Sequence, residues 1–394
     1  MANRKDDKGR VLKTGETQRK DGTYQYSWLD SMKKRHYVYG PTLSELRQKE
    51  KEIQKNEMLG IDSIQSKVTL NQLFALMMNL KKDIRETTKN HYSSLWKNYV
   101  EKTALGNMQV AKIKQIHIKT HYDNLLTEKQ LKGSSIKVIH ALVFQVLEMA
   151  VNSDWILKNP AKNATDFVKV EKADKVPLTQ KQVEQLKTYC ENSDSFNIYI
   201  PYLTIAIGTC LRNGEITGLT WKNVDMKNKT INIDHQLVYK NYGDGCKFHI
   251  HKPKTSAGAR VIPMTDAVYK AFKEIRRINF LLGRRCTTII DGYSDFVFIS
   301  SSGKPYNVAQ IDAILTRIEQ GYNRRHTKEP IPHLSSHILR HTGATLYSTK
   351  GMDIKALQNL MGHSDAGMTL NTYNHISYER TQNELKRIEN LIAI

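Results

Sequence analysis

Polar and apolar side chains alternate over residues 10–30, around an Asp-Gly pair. This pair, Asp21-Gly22, separates two short runs, and the second run carries an aromatic residue at every second position. A period of two on both sides of an Asp-Gly pair predicts a β-hairpin, and a third strand is predicted over 36–39. Pro41 then opens a charged stretch with apolar residues on one side, which is typical of a helix packed on a sheet. Residues 1–60 therefore predict a compact module of one small sheet and one helix.

From Thr69 onward the apolar positions recur with the period of an α-helix. Thr69 and Gln72 are placed as a capping box in front of the first apolar stripe. Two further stripes, over 92–100 and 136–150, follow the i, i+3, i+4, i+7 pattern of a helix with one buried face. Residues 66–160 therefore predict an all-α bundle, with the aromatic side chains of the stripes in its core.

A polar run follows Pro160 and contains few large apolar residues. We interpret residues 161–176 as an interdomain linker. Beyond it the chain returns to helical patterning, which also dominates after Val308. Between these helical parts lie three strand-like runs, at 230–239, 248–251 and 259–263. Residues 177–394 predict a mostly helical domain of mixed α and β structure, so the fold class is multidomain α+β.

The charge balance indicates a negatively charged partner. The chain has 60 lysine and arginine residues and 39 aspartate and glutamate residues, which gives a formal net charge of +21. A small soluble domain needs a net charge of only about 2 to 8 in magnitude, so the excess indicates DNA or RNA binding. The four cysteines have no close spacing, which argues against a zinc knuckle or a dense disulfide framework. The first ten residues are charged, and no apolar run approaches the ~18 residues of a membrane span. We expect an intracellular protein with no membrane partner.

Two segments of the last domain could bind a phosphate. Arg212 follows an apolar helix that Gly208 is expected to interrupt, so it lies near a helix start, where backbone N–H groups favour anions. His337 and Arg340 are three residues apart and share one face if their segment is helical. Each segment alone has a structural explanation, since an arginine three residues before Glu215 resembles a surface ion pair.

A third segment ends with a candidate nucleophile. A helix is predicted from about Asp353, with a buried stripe, and Gly362 supplies a left-handed stop before His363. Tyr373 follows ten residues later. The chain contains 19 tyrosines, and Tyr378 lies only five positions further on, so Tyr373 gains significance only from the order of the preceding residues. The stripe of this helix comprises Ile354, Leu357 and Leu360.

The ordered set resembles the signature boxes of the tyrosine recombinase (phage integrase) family. The matching residues, in the family's order and C-terminal position, are Arg212, His337, Arg340, Gly362, His363 and Tyr373. The resemblance implies the layout of integrases from phages and conjugative transposons. Residues 1–60 would then be an arm-type DNA-binding domain, 66–160 a core-binding domain and 177–394 the catalytic domain with a C-terminal tail helix.

The resemblance also implies roles for the signature residues. Arg212 and Arg340 would stabilise the phosphate, His363 would donate a hydrogen bond to it, and His337 would accept or steer the proton of the Tyr373 nucleophile. An active-site lysine is expected at the tip of a β-hairpin, within the run 252–260. Lys254 is the candidate and Lys252 the alternative. The chemistry would require no metal, no ATP and no cofactor.

The first module is especially similar to the conjugative-transposon branch over 9–16 and 19–22, in which a three-stranded sheet enters the DNA major groove. Strand alternation would turn some of Arg19, Lys20, Gln25 and Ser27 towards DNA if the aromatic residues pack on the helix. Three lysines outside the apolar stripes of the bundle are further candidates for DNA contacts: Lys97, Lys112 and Lys114.

The resemblance further implies the partners and the cellular role. It predicts double-stranded DNA with core and arm sites, a homo-tetramer that passes through a Holliday junction, and integration and excision of a mobile element. It also predicts an excisionase and a DNA-bending protein as partners, in the bacterial cytoplasm at the nucleoid. The apolar stripe of the tail helix, Leu385, Ile388, Leu391 and Ile392, could dock on its own domain or on a neighbouring protomer.

Two other classes explain part of these observations. A non-enzymatic DNA-binding regulator accounts for the charge and layout but leaves Tyr373 and the cationic set without a purpose. A type IB topoisomerase or telomere resolvase shares the chemistry but does not exchange DNA partners. The arm-type module argues against both.

Overall fold

The computed structural model describes residues 4–29, 33–58, 68–170, 176–242, 245–253, 255–365 and 367. The chain divides into two compact units, Met1–Lys172 and Ala173–Ile394. Three of the predicted features, Lys254, Tyr373 and the tail helix, lie outside the described residues.

The first unit opens with a three-stranded antiparallel sheet in the order β1-β2-β3, followed by a helix. The side chains of Tyr24 and Tyr26 on the central strand are buried against Leu46 and other apolar residues of this helix. The turn before the central strand contains Gly22 with a φ of +82°. The prediction of a sheet-plus-helix module is confirmed. Its elements are β1 (Glu16–Gln18), β2 (Tyr24–Leu29), β3 (Arg35–Gly40) and α1 (Leu43–Met58).

A helical bundle follows in the same unit. Thr69 and Gln72 form the predicted capping box, and the rings of Phe74 and Trp96 stack with centroids 4.1 Å apart in the core. The longest helix of the bundle is also long and apolar enough to cross a membrane, but one face of it, including Ile139, is buried in this core, which accounts for its apolar character. The helices are α2 (Leu70–Leu80), α3 (Glu86–Tyr99), α4 (Ala104–Asn107), α5 (Gln115–Thr127) and α6 (Gly133–Asn152).

The segment predicted to be a linker from residue 161 instead begins as part of this bundle. Ala161, Ala164 and Val168 are buried in the bundle core, and the Lys137 ammonium of α6 donates to the carbonyl oxygen and the hydroxyl of Thr165. The start of the predicted linker is therefore wrong. Small alanines fill the space beside α6, so a search for large apolar residues does not detect them.

The second unit contains two small sheets. The predicted strand-like run 230–239 is two strands, because the chain turns at Asp234-His235 and continues in a different sheet. The segment 252–259 joins strands of different sheets, so the expected hairpin tip is a connection between sheets. One sheet has the order β4-β5-β8 and the other is the hairpin β6-β7. The strands are β4 (Val224–Asp225), β5 (Thr230–Ile233), β6 (Gln236–Asn241), β7 (Cys246–His251) and β8 (Arg260–Pro263).

Helices surround the sheet β4-β5-β8 and share one apolar core with it. Two expectations fail here. The helix before Arg212 runs through Gly208 and stops at Cys210, whose φ is +51°, and Ile354 of the last helix is 42% exposed rather than buried. The helices are α7 (Gln180–Glu191), α8 (Ile200–Thr209), α9 (Asn213–Gly218), α10 (Asp266–Leu281), α11 (Val308–Arg325), α12 (Ser336–Thr349) and α13 (Ile354–Met361).

Candidate active site

Arg212 lies at the start of α9, as the sequence predicts. Its backbone N–H donates to the Glu215 carboxylate, which closes the capping box of this short helix. The Arg212 guanidinium donates to Glu215 Oε1 at 2.9 Å and to the Gly362 carbonyl at 3.3 Å. The Arg212 side chain is 40% exposed, whereas that of Glu215 is 6% exposed. The pair is therefore not a surface ion pair, because its carboxylate is buried while its guanidinium reaches the surface.

Arg340 is buried on α12, and the C-terminal ends of two other helices hold its guanidinium. Nη1 donates to the Cys210 carbonyl at 2.7 Å, and Nη2 donates to the Met361 carbonyl at 2.9 Å. Burial, and then the nearby charge of Arg212, lowers the pKa of Arg340 to about 10, so the group stays charged at neutral pH. Carbonyls at helix C-termini carry partial negative charge, which compensates for the desolvation of the guanidinium.

His337 precedes Arg340 by three residues on the same helix. His337 is exposed to solvent, whereas Arg340 is only 5% exposed. The first turn of the helix is fixed by the Ser335 hydroxyl, which accepts from the Ile338 N–H, and by the Asp312 carboxylate, which accepts from the Ser336 N–H. The predicted helical placement of the His-x-x-Arg pair is confirmed.

His363 follows the left-handed Gly362 at the end of α13. Its Nε2 accepts a hydrogen bond from Arg340 Nη2 at 2.9 Å, which places the ring proton of the neutral imidazole on Nδ1. Burial, followed by the charges of Arg340 and Arg212, lowers the pKa of His363 to about 4. His363 is therefore neutral at pH 7 and keeps one N–H as a donor.

Three consecutive carbonyls at the end of α13 each accept from a different arginine. The carbonyl of Leu360 accepts from Arg260 at 3.1 Å, that of Met361 from Arg340, and that of Gly362 from Arg212. We call this segment, Leu360–Gly362, the acceptor turn. It connects Arg212 and Arg340, which are far apart in sequence, with Arg260, which the motif search did not single out. The only trace of Arg260 in the sequence is its place at the end of the run 252–260.

A cavity of about 420 Å³ opens beside Arg212 and His363. Pro253 and Thr255, which precede and follow Lys254 in the sequence, also line this cavity, whereas Lys252 is an exposed residue outside its lining. Within the described ranges, no group of three or more His, Cys, Asp or Glu side chains could hold a metal ion.

The candidate DNA contacts of the first module lie on or beside the outer face of its sheet. Gln25 pairs with Tyr39 and Ser27 pairs with Tyr37 across β2 and β3, so these four side chains share the face opposite to the buried Tyr24 and Tyr26. Tyr37 and Tyr39 are 48% and 47% exposed, and the sequence reasoning missed both. Arg19 and Lys20 are exposed in the preceding turn, and the Arg19 guanidinium lies 5.2 Å from the centroid of the Tyr39 ring.

The candidate lysines of the bundle are all exposed. Lys97 lies in the last turn of α3, Lys112 ends a short 3₁₀ turn, and Lys114 precedes α5. Lys112 and Lys114 are close in sequence on the connection between α4 and α5, so two positive charges lie at one end of the bundle.

Comparison with known proteins finds a family match for the N-terminal module and another for the C-terminal domain of the chain. The model described as "Phage integrase family" matches residues 177–380, and the model described as "DNA binding domain of tn916 integrase" matches residues 1–57. The transposase from transposon Tn916 of Enterococcus faecalis is 32% identical over 401 residues, covering 98% of this chain and 96% of the relative. The transposase from transposon Tn1545 of Streptococcus pneumoniae has the same identity and coverage.

Solved structures show the same architecture. A Tn1549 transposon integrase in complex with a circular intermediate DNA superposes with a TM-score of 0.73 at 31% identity, covering 81% of this chain and 99% of that one. A lambda integrase dimer bound to a core site has a TM-score of 0.56 at 17% identity, covering 94% of this chain and 97% of that one, which is a likeness of fold.

Proposed function

The chain belongs to the phage integrase family and is a site-specific DNA recombinase, and from this premise we propose that it integrates and excises a mobile element through a 3′-phosphotyrosyl bond to Tyr373. The observation that carries the proposal is that Arg212 and Arg340 both bind the acceptor turn, directly before His363, and that His363 accepts from Arg340 and precedes that tyrosine by ten residues. The transposon origin of the relatives supports a mobile element as the substrate.

The two arginines supply the charge that the reaction needs. A phosphodiester gains negative charge in its pentacoordinate transition state, and cations already aimed at the nonbridging oxygens lower the barrier without reorganisation. Arg340 suits this role because helix-end carbonyls hold two of its nitrogens in place. Arg212 suits it because its guanidinium borders the cavity and its planar fork can bond two oxygens. His363 would donate from Nδ1 to the same phosphate.

Tyr373 would attack the phosphorus and displace the 5′ oxygen of the DNA. A tyrosine hydroxyl has an ordinary pKa of about 10, so the attack requires a proton acceptor, and His337 is our candidate. Ten residues of chain span at most about 35 Å. This reach allows Tyr373 to approach the cavity of its own protomer.

The leaving 5′ oxygen must gain a proton, and we assign this step to Lys254. The support for Lys254 over Lys252 is that Pro253 and Thr255 line the cavity together with Arg212, whereas Lys252 does not. The products of cleavage are the phosphotyrosyl bond and a free 5′ hydroxyl. Attack by the 5′ hydroxyl of a partner strand reverses the step with no net change in bond type, so the proposed reaction uses no ATP. The arginines would supply the charge stabilisation, so the proposed reaction also uses no metal ion.

DNA recognition would be divided between the two parts of the first unit. The outer sheet face, with Gln25, Ser27 and the adjacent Arg19 and Lys20, would bind arm sites in the major groove. The exposed lysines of the bundle, Lys97, Lys112 and Lys114, would contact the phosphates of core sites. The DNA complexes of the Tn1549 integrase support double-stranded DNA as the partner.

The assembly proposed for this chain is a homo-tetramer that resolves a Holliday junction. A lambda integrase tetramer has been solved on a Holliday junction, and this chain has the fold of that protein. We further propose an excisionase and a DNA-bending protein as partners, and a bacterial cytoplasmic location at the nucleoid. The apolar tail stripe would dock within its own protomer or on a neighbour, and recombination by a chain that lacks 380–394 distinguishes the two.

A nicked suicide substrate tests the chemistry directly. Such a DNA loses a short fragment on cleavage, so the covalent complex accumulates and its attached peptide can be mapped. We expect attachment of the DNA 3′ phosphate at Tyr373, loss of the complex in Tyr373→Phe and its retention in the matched control Tyr378→Phe. Attachment at Tyr378, or no attachment, would overturn the proposal.

A further inference from the structure

Arg260 is a buried arginine that borders the candidate active site without facing its cavity. It is the first residue of β8, and its side chain is 3% exposed. Its Nε donates to the Leu360 carbonyl at 3.1 Å, Nη1 donates to the Gly258 carbonyl at 3.0 Å, and Nη2 donates to Glu215 Oε2 at 3.0 Å. Every side-chain nitrogen therefore already has an acceptor within the protein. A guanidinium committed in this way acts on neighbouring residues rather than on a phosphate.

The first of these neighbours is Glu215, which lies between two arginines. Its Oε1 accepts from Arg212 and its Oε2 accepts from Arg260. Burial by itself would raise the pKa of the Glu215 carboxyl, but Arg260 and then Arg212 hold it below its ordinary value. Without Arg260, Arg212 would be the one guanidinium among the described residues that is hydrogen-bonded to this buried carboxylate. The carboxylate would then offset more of the positive charge that Arg212 presents to the cavity.

The second neighbour is the acceptor turn. Arg260 binds the Leu360 carbonyl, and its guanidinium also packs against the Cα of Gly362, where an added Cβ would lie 2.5 Å from Nη1. The carbonyls that orient Arg340 and Arg212 belong to the same turn. Arg260 thus supports the turn without being among the residues that line the cavity.

We propose that Arg260 is a positioning residue of the recombination reaction: it holds Glu215 and the acceptor turn so that Arg212, Arg340 and His363 present their donors to the scissile phosphate. This inference rests on the proposed function and adds to it a third arginine that touches no DNA. Its fork is needed because one planar group must reach a carboxylate and two carbonyls at once.

Single-turnover cleavage of the suicide substrate, with enzyme in excess and all DNA bound, tests this role. The variants are Arg260→Met, which removes charge and fork, and Arg260→Lys, which keeps the charge but not the fork. The matched control is Arg277→Met on α10, an arginine whose side chain is 62% exposed and pairs with Glu274. Melting temperature and DNA affinity are measured for each variant, so that the rate constant refers to folded, bound enzyme.

We expect Arg260→Met to bind DNA normally and to cleave about 10²-fold more slowly, the scale of losing one aligned donor. Arg260→Lys should fall in between, and the control should match the wild type. A second readout separates positioning from folding. Because Arg260 is one of the charges that lower the pKa of His363, its removal should move the acid limb of the pH–rate profile to higher pH.

Cleavage by Arg260→Met within about twofold of the wild type would overturn the inference, and so would a slower rate with an unmoved acid limb. A loss that follows only the folded fraction would overturn it too. A wild-type chain that forms no bond at Tyr373 would instead overturn the proposed function, and the inference with it.

Discussion

Substitution of Gly362 by alanine measures how closely the acceptor turn fits Arg260. Gly362 has a φ of +64°, a left-handed conformation that costs an L-residue about 1 to 2 kcal/mol. The alanine Cβ would also lie 2.5 Å from Arg260 Nη1 and 2.7 Å from its Cζ. Since ordinary carbon contacts are about 3.5 to 4.0 Å, the guanidinium would have to retreat by roughly 1 Å. Its bonds to Leu360 and Glu215 would weaken as it moved.

Gly283 provides a matched control in the same unit. It also follows a helix, its φ is +63°, and an added Cβ would meet nothing within 4 Å. Gly283→Ala therefore reports the backbone cost alone, about 1 to 2 kcal/mol. Gly362→Ala should add an overpacking cost of about 1 to 3 kcal/mol, for a total of about 2 to 5 kcal/mol.

Thermal unfolding and suicide-substrate cleavage together form the assay. For a unit of this size each kcal/mol lowers the melting temperature by about 2 to 4 °C, so the two variants should differ measurably. Gly362→Ala should also cleave more slowly, while Gly283→Ala should cleave at the wild-type rate. Equal melting temperatures and equal rates for the two variants would refute the idea that Arg260 fits closely against the turn.

Three further predictions concern the first unit. Burial and a hydrogen bond with Glu16 raise the pKa of Glu50 in the folded protein. The stability that this carboxyl contributes is therefore complete below the pKa of an unfolded glutamate, and it is lost as the pH rises through the pKa of Glu50 in the folded state. Glu50→Gln should therefore increase the hydrogen-exchange protection of β2 at pH 8 but not at pH 4, and equal effects at both would contradict this. Ile139→Ala in α6 should lower the free energy of unfolding, measured in urea, by about 2 to 5 kcal/mol. Val138→Ala, at an exposed position of the same helix, should lower it by less than about 0.5 kcal/mol. Similar losses for the two variants would argue against the buried position of Ile139 in the bundle core. Replacing the candidate lysines Lys97, Lys112 and Lys114 should weaken binding to all DNA sequences and reduce the salt slope by about 0.9 for each phosphate that is no longer neutralised, whereas an unchanged slope would exclude these lysines from the DNA interface.

The local elements of the first unit follow from the sequence because their signals are local. Asp21-Gly22 fixes a turn, period two marks the strands beside it, and Thr69 with Gln72 caps a helix without help from distant residues. The extent of the bundle does not follow, because Ala161 and Ala164 become core residues only where another helix leaves a space of their size.

The catalytic unit shows the same division between local and distant causes. The strand-like run 230–239 gives no sign of the break between β5 and β6. At this break His235 Nε2 donates to the Gly218 carbonyl at the end of α9, a contact between residues far apart in sequence. The order of the signature residues in the sequence predicts that Arg212, Arg340 and His363 belong to one site. Arg260 escapes such a search, because no short motif relates an arginine on β8 to a turn 100 residues later.

The acceptor turn has a consequence for how this site can change over evolution. Main-chain carbonyls are present whatever side chain a residue carries, so Leu360 and Met361 can exchange for other apolar residues without loss of an acceptor. Substitutions there would be constrained by packing and not by chemistry. The main-chain acceptors of the network therefore leave no trace in an alignment, and two relatives with different apolar residues at these two positions can share one set of arginine contacts.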